Sequence, residues 1–161
     1  MKLTLLFKNI NACNGAPMIQ VRVNQRPVWS GAVVQEIIIN DPYVNGAIVL
    51  EIEHHGKDYS QDCVVVDGNI VADKNCELDK IIVDGYDLEE LIWNSCYQTD
   101  HQETLDHCLF FGKNGIFSIK FDLPILRWIL KTRHDTLQND PYWEDDYNSY
   151  QSACKILNNL N

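Results

Sequence analysis

The stretch from Asp58 to Asp87 constrains this chain more than any other. It holds the β-branched runs Cys63-Val64-Val65-Val66 and Ile70-Val71 on either side of Asp67-Gly68-Asn69, then Lys80-Ile81-Ile82-Val83 running into Asp84-Gly85-Tyr86-Asp87. Glycine accepts the positive φ that a tight primed turn demands, so Asp-Gly beside β-branched runs signals a hairpin. The same grammar recurs along the chain. Ile19-Gln20-Val21-Arg22-Val23 alternates apolar and polar residues, Asn24-Gln25-Arg26-Pro27 turns, and Val28-Trp29 begins a return strand. Glu36-Ile37-Ile38-Ile39 stops at Asn40-Asp41-Pro42, and Asn45-Gly46 precedes Ile48-Val49-Leu50-Glu51-Ile52-Glu53-His54. Turn signals about every 8 to 12 residues predict an all-β sandwich or barrel. The pattern continues through Leu91-Ile92-Trp93 and Cys96-Tyr97, and Cys108–Phe111 with Ile116–Phe121 around Lys113-Asn114-Gly115 predicts a further hairpin over 108–121.

From Pro124 the period changes. Ile125, Trp128 and Ile129 fall at helical spacing, predicting a short helix near 125–131. The sandwich domain is therefore assigned to 1–133, and 134–161 reads as an acidic, aromatic C-terminal tail carrying Tyr142, Trp143, Tyr147 and Tyr150. Aromatic density of that kind suits a docking element, including a route to a homo-oligomer.

Composition excludes some partners. Thirteen basic against 23 acidic residues give a net charge of −10, and no basic stripe is visible, so a nucleic-acid partner is not expected. No apolar run reaches the roughly 18 residues that span a bilayer, so no membrane partner is expected either. The first eight residues read as a strand rather than a secretion signal, which predicts synthesis in a cytoplasm. The six cysteines, at 13, 63, 76, 96, 108 and 154, form no Cys-x-x-Cys pair, so reduced, half-buried thiols are expected in place of a zinc site.

The order of Val21 and Val23, Gly46, Gly56-Lys57-Asp58, Asp62, Asp67-Gly68-Asn69-Ile70-Val71 and Leu78-Asp79-Lys80-Ile81-Ile82-Val83-Asp84-Gly85 resembles the small jelly-roll β-sandwiches of xylan-binding carbohydrate-binding modules. The segments His55-Gly56-Lys57, Asp67-Gly68-Asn69-Ile70-Val71 and Asp84-Gly85-Tyr86-Asp87-Leu88 also resemble a group of proteins encoded by T4-like phages of marine cyanobacteria. The resemblance covers roughly residues 18–130. It implies an antiparallel jelly-roll-type sandwich, a glycan or protein partner and, for a phage product, the virion as a further location.

Two chemistries follow from the residues. Calcium takes six to eight hard oxygens, and Asp58, Asp62, Asp67 and Asp84 at the loop ends are the candidate ligands, although turn geometry alone also explains an Asp-Gly pair. Sugar rings stack on aromatic faces, and Tyr59, Tyr86, Trp93 and Tyr97 lie on or beside the acidic turns. His54 and His55 are adjacent on a strand and so point to opposite faces. No nucleophile elbow, zincin motif or phosphate loop is present, so an enzyme is not expected. The expectation is a non-catalytic, phage-related protein recognising a glycan or cell-surface polysaccharide. The alternative is a phage structural or assembly protein whose sandwich binds other proteins. Convergence of Tyr59, Tyr86 and the carboxylates on one open surface favours the first, and dispersal favours the second.

Overall fold

Alternating burial sorts the strands onto two packed faces. In the strand Ala47–His55, Ile48, Leu50, Ile52 and His54 are buried while their neighbours face outward, the period-two arrangement of a strand with one dry side. The computed structural model describes residues 1–41 and 44–137. In chain order the strands are β1 (Lys2–Asn11), β2 (Met18–Val23), β3 (Arg26–Ala32), β4 (Glu36–Asn40), β5 (Ala47–His55), β6 (Cys63–Val66) and β7 (Asn69–Asp73). There follow β8 (Asn75–Val83), β9 (Tyr86–Asp87), β10 (Cys96–Thr99), β11 (Thr104–Asp106), β12 (Phe110–Phe111) and β13 (Gly115–Asp122). A 3₁₀ helix spans Glu89–Asn94, and α1 spans Ile125–Leu137.

One sheet runs β12-β8-β1-β4, with β9 turned back onto β8, and the other runs β11-β10-β13-β5-β2-β3. The pairings among the described residues are antiparallel. The chain repeatedly leaves one sheet for the other: from β1 to β2 and β3, back to β4, across to β5, and later from β10 and β11 to β12 and then β13. The result is an antiparallel sandwich of jelly-roll type.

Leu3, Leu5 and Phe7 of β1, Ile37 and Ile39 of β4, and Leu78, Ile81 and Val83 of β8 face Ile19, Val21, Val23, Leu50, Ile52, Phe117 and Ile119 of the other sheet. Each fully buried Leu, Ile or Phe is worth about 1.5–3 kcal/mol. The α1 helix closes one end through Ile125 and Ile129, with Trp128 edge-on to Phe121 at 6.0 Å. Cys13, Cys63, Cys76, Cys96 and Cys108 are free thiols, and burial pushes the Cys76 thiol up to about 12.

Two local expectations need correcting. Residues 108–121 do not form a hairpin: β12 pairs with β8 in the first sheet, whereas β13 pairs with β5 and β10 in the second. The 112–114 segment crosses between sheets, and period-two patterning cannot distinguish a crossover from a hairpin. Leu91-Ile92-Trp93 lies in the 3₁₀ helix rather than a strand, with Leu91 and Ile92 buried and Trp93 outside. The short helix expected near 125–131 is present as α1 and runs on to Leu137, so residues 134–137 form its last turn. The remainder of the expected tail, 138–161, lies outside the described residues.

Candidate functional site

Gly56, at φ 74°, turns the chain sharply out of β5. The next residues fold on the Asp58 side chain: Oδ1 accepts from the Ser60 amide at 2.9 Å and the Ser60 hydroxyl at 2.6 Å. The Asp58 carbonyl accepts from the Gln61 and Asp62 amides. This is an aspartate-capped turn, and it presents Tyr59.

The Tyr59 ring is held at its far end. Its hydroxyl lies 2.9 Å from each Asp100 carboxylate oxygen and accepts from the Asn114 backbone N–H at 2.9 Å. Burial pushes the Tyr59 phenol up, so it remains a neutral donor to Asp100. Asn114 is fixed in turn, its side-chain amide bonded to the Lys57 N–H and C=O at 2.9 Å each. The ring, 37% exposed, stands 5.3 Å from the His101 ring, and the Lys57 ammonium lies 5.8 Å from its centroid.

Asp100 and Asn114 also line a cleft of about 400 Å³, with Glu53, His55, Gln98 and Ile116 among its other walls. Glu53 is ion-paired with Arg22. Gln98, Ile116 and Glu53 stand side by side across β10, β13 and β5. Gly115 lets these strands close up, because a Cβ there would sit 2.5 Å from the Gln98 carbonyl. The arrangement joins a fixed aromatic face to a bed of amide, carboxylate and imidazole groups. A larger opening of about 490 Å³ is lined by Val23, Asn24, Arg26, Val44 and Asn45, and its Arg26 is spent on Asp41.

A buried polar layer adjoins the 56–62 loop. Lys57 Nζ donates to Asp73 Oδ1 and to the Gly112 carbonyl, both at 2.5 Å, and Lys74 Nζ donates to Asp62 Oδ2 at 2.5 Å. Lys74 holds the Asp62 carboxyl below the usual carboxylate range, helped by the Asp58 N–H. Burial pushes Asp73 up, but the Lys57 and Asn75 hydrogen bonds outweigh it and hold the carboxyl low. His54 points inward and is fully buried, and desolvation lowers its pKa below the ordinary histidine value. Its Nδ1 lies 2.7 Å from the Lys113 carbonyl, so the proton sits there, and the buried Nε2 has no protein partner. His55 faces the cleft, as strand geometry requires.

The candidate residues do not converge. Tyr59 does not line the cleft itself but is bonded to two residues that do, Asp100 and Asn114. Tyr86 is 44% exposed but sits past Val83, at the far end of the nine-residue β8, roughly 30 Å away along the strand. Trp93 is 45% exposed in the 3₁₀ helix, edge-on to His107 at 6.3 Å. Tyr97 is a core residue and offers no face to a ligand: it stacks on Phe111 at 5.0 Å and donates to the Lys113 carbonyl at 2.5 Å. Its position followed the alternation of β10 and not the acidic turns.

Of the four candidate calcium ligands only Asp58 and Asp62 share a loop, the Asp58 N–H donating to Asp62 Oδ2 at 2.9 Å, and Asp67 and Asp84 lie in other turns. Asp58 caps its own turn, Asp62 neutralises Lys74, Asp67 lies at the tip of the β6–β7 hairpin, and Asp84 accepts from the Lys2 N–H at the β8–β9 turn. Among the described residues no group of three or more histidine, cysteine, aspartate or glutamate side chains is arranged to hold a metal ion. Sequence reasoning missed Asp100, Gln98 and Asn114. Lys113-Asn114-Gly115 read only as a turn, and nothing local shows that residue 114 reaches back to residues 57 and 59.

No family model matches the chain, and no curated protein matches it. Among solved structures, one described as vCBM60 in complex with galactobiose is similar at a TM-score of 0.48 and 13% identity, over 73% of this chain and 96% of that one.

Proposed function

We propose that this protein is a non-catalytic glycan-binding sandwich that stacks a sugar ring on Tyr59 and bonds its hydroxyls from the adjoining cleft. One observation carries the reading: a half-open tyrosine ring, fixed at its hydroxyl by Asp100 and Asn114, beside a polar cleft those same two residues line. Sugars present apolar C–H faces and a rim of hydroxyls, so an aromatic platform next to amides and carboxylates is the complementary surface. A ring ordered before binding loses little entropy on binding. Asp100, Asn114, Gln98, Glu53 and His55 are the hydroxyl partners. Glu53 is neutralised by Arg22 and Asp100 is engaged by the phenol, which suits them to accept hydrogen bonds rather than to transfer protons. Following the phage resemblance, the glycan is a cell-surface polysaccharide of the host.

A glycan array tests this. Specific hits should appear with the intact chain and weaken at least about tenfold in Tyr59→Ala, the loss of one stacked ring. Hits that survive Tyr59→Ala unchanged refute the assignment. The second reading, an assembly protein, is favoured by the dispersal of Tyr86, Trp93 and the aspartates, and it predicts no hits and a stable complex with another protein.

A further inference from the structure

The crossover 112–114, which carries the chain from β12 to β13, is held at each of its three residues. Lys57 Nζ donates to the Gly112 carbonyl at 2.5 Å. The Lys113 carbonyl is approached from the core by two groups, His54 Nδ1 at 2.7 Å and the Tyr97 hydroxyl at 2.5 Å. Asn114 follows, its side chain locked to the Lys57 backbone and its N–H bonded to the Tyr59 hydroxyl. Two hydrogen bonds and the peptide unit between them therefore join a fully buried imidazole to the half-open ring of the glycan platform.

We propose that neutral His54 is the positioning residue of the glycan platform, and that its protonation frees the crossover and releases the ligand in mild acid. The inference rests on the glycan reading of Tyr59. His54 is walled in: its cross-strand neighbours, Ile19 of β2 and Gly115 of β13, offer no side-chain acceptor. The charged and titratable groups that bear on it are Lys57 from the loop and Lys74 from the turn into β8, with His55 beside it on β5 and Tyr97 sharing the Lys113 carbonyl. The carboxylates Asp73 and Asp62 are committed to those two lysines. A proton on Nε2 therefore adds a third buried cation, with no acceptor for it among the described residues, and an unpaired buried charge is costly. Local opening that brings the imidazolium to water relieves that cost. Through the Nδ1 bond, the movement draws on the Lys113 carbonyl, turns Asn114 and leaves Asp100 alone to hold the Tyr59 hydroxyl. The closed form excludes the proton, so its advantage is complete above the ordinary histidine value of about 6.5 and shrinks by up to about tenfold per pH unit below it. Glycan binds the closed form, so affinity falls in the same direction.

NMR of the intact chain between about pH 7.5 and 4.5, mostly above the carboxylate range, tests the coupling without any glycan. The Asn114 amide and the Tyr59 ring signals should move with the His54 imidazole, at a midpoint below about 6.5, and not with His55 or His101. Core amides such as those of Val21 and Leu50 should stay in place, which separates local opening from unfolding. His54→Asn keeps a side-chain amide near the position of Nδ1 and does not titrate, so it should hold the Asn114 and Tyr59 signals constant. His101→Gln should leave them titrating. Titration with the best array hit should then show affinity falling at the His54 midpoint in the parent and staying level in His54→Asn. Asn114 and Tyr59 signals that ignore His54 or follow His101, a His54 that stays neutral throughout, or loss of all amide signals together overturns the proposal. An array without hits sinks the glycan half, whereas an unresponsive Asn114 in a chain that does bind glycan sinks the role of His54.

Discussion

The Tyr59 hydroxyl both donates to Asp100 and accepts from the Asn114 amide, so the ring's orientation is set before any ligand arrives. Tyr59→Phe keeps the ring and removes both bonds. It should cost about 1 kcal/mol of stability in urea denaturation, the net worth of a typical hydrogen bond, and should bind glycan more weakly than the parent because the ring is free to swing. Gly115 is a second residue whose role is geometric. A Cβ there would meet the Gln98 carbonyl at 2.5 Å and the Thr99 Cα at 3.0 Å, which are backbone atoms that cannot step aside. Gly115→Ala should therefore destabilise by about 1–3 kcal/mol and push β10 from β13, widening the cleft floor. Intact stability in Gly115→Ala, read by the same denaturation, would show that the strands yield more easily than their packing implies.

At the scale of elements, the loop 56–62 and the β6–β7 hairpin stand on two buried ion pairs. Removing Lys57 strands Asp73, so Lys57→Met should cost about 3 kcal/mol, a fall in melting temperature of about 2–4 °C per kcal/mol. Acid should act on the same layer in two stages. His54 has a lowered folded-state pKa, so its neutral form stabilises the fold above the unfolded value of about 6.5 and that contribution declines as pH falls below it. Asp62 and Asp73 are held low by their lysines, so theirs is complete above the unfolded value of about 3.9 and is lost as pH falls through the folded values. A melting-temperature profile should thus slope gently below neutrality and steeply below about pH 4. His54→Gln should remove the upper slope alone. A profile flat from pH 7 to 4 would contradict the assignment of His54.

For the whole molecule, the distribution of Asp58 and Asp62, Asp67, and Asp84 over three different turns, each already engaged in a turn, a lysine pair or a backbone bond, predicts that a calcium chelator leaves the melting curve unchanged. A drop of several degrees on chelation, with calcium found by elemental analysis, would contradict this. The sandwich was legible in the sequence because its strands alternate: Ile19, Val21 and Val23, or Ile48, Leu50 and Ile52, announce one buried face. The partner of each strand was less legible. Phe110-Phe111 and Ile116–Phe121 look like a hairpin, yet they belong to opposite sheets, because pairing depends on contacts far along the chain. The site was legible only at Tyr59. Asp100 and Asn114 acquire their roles across 41 and 55 residues of separation, which no local pattern encodes, while Tyr97 looked exposed by its neighbours and was claimed by the core.

The most direct test of the glycan-binding account is a backbone-amide NMR titration of the intact chain with its best array hit. Shift changes should centre on Asn114, whose N–H bonds the Tyr59 hydroxyl, and on Gln98, Asp100 and His55, with Tyr86 and Trp93 unmoved. Changes centred on Trp93 and His107, or no saturable change at any glycan concentration reached, would contradict it.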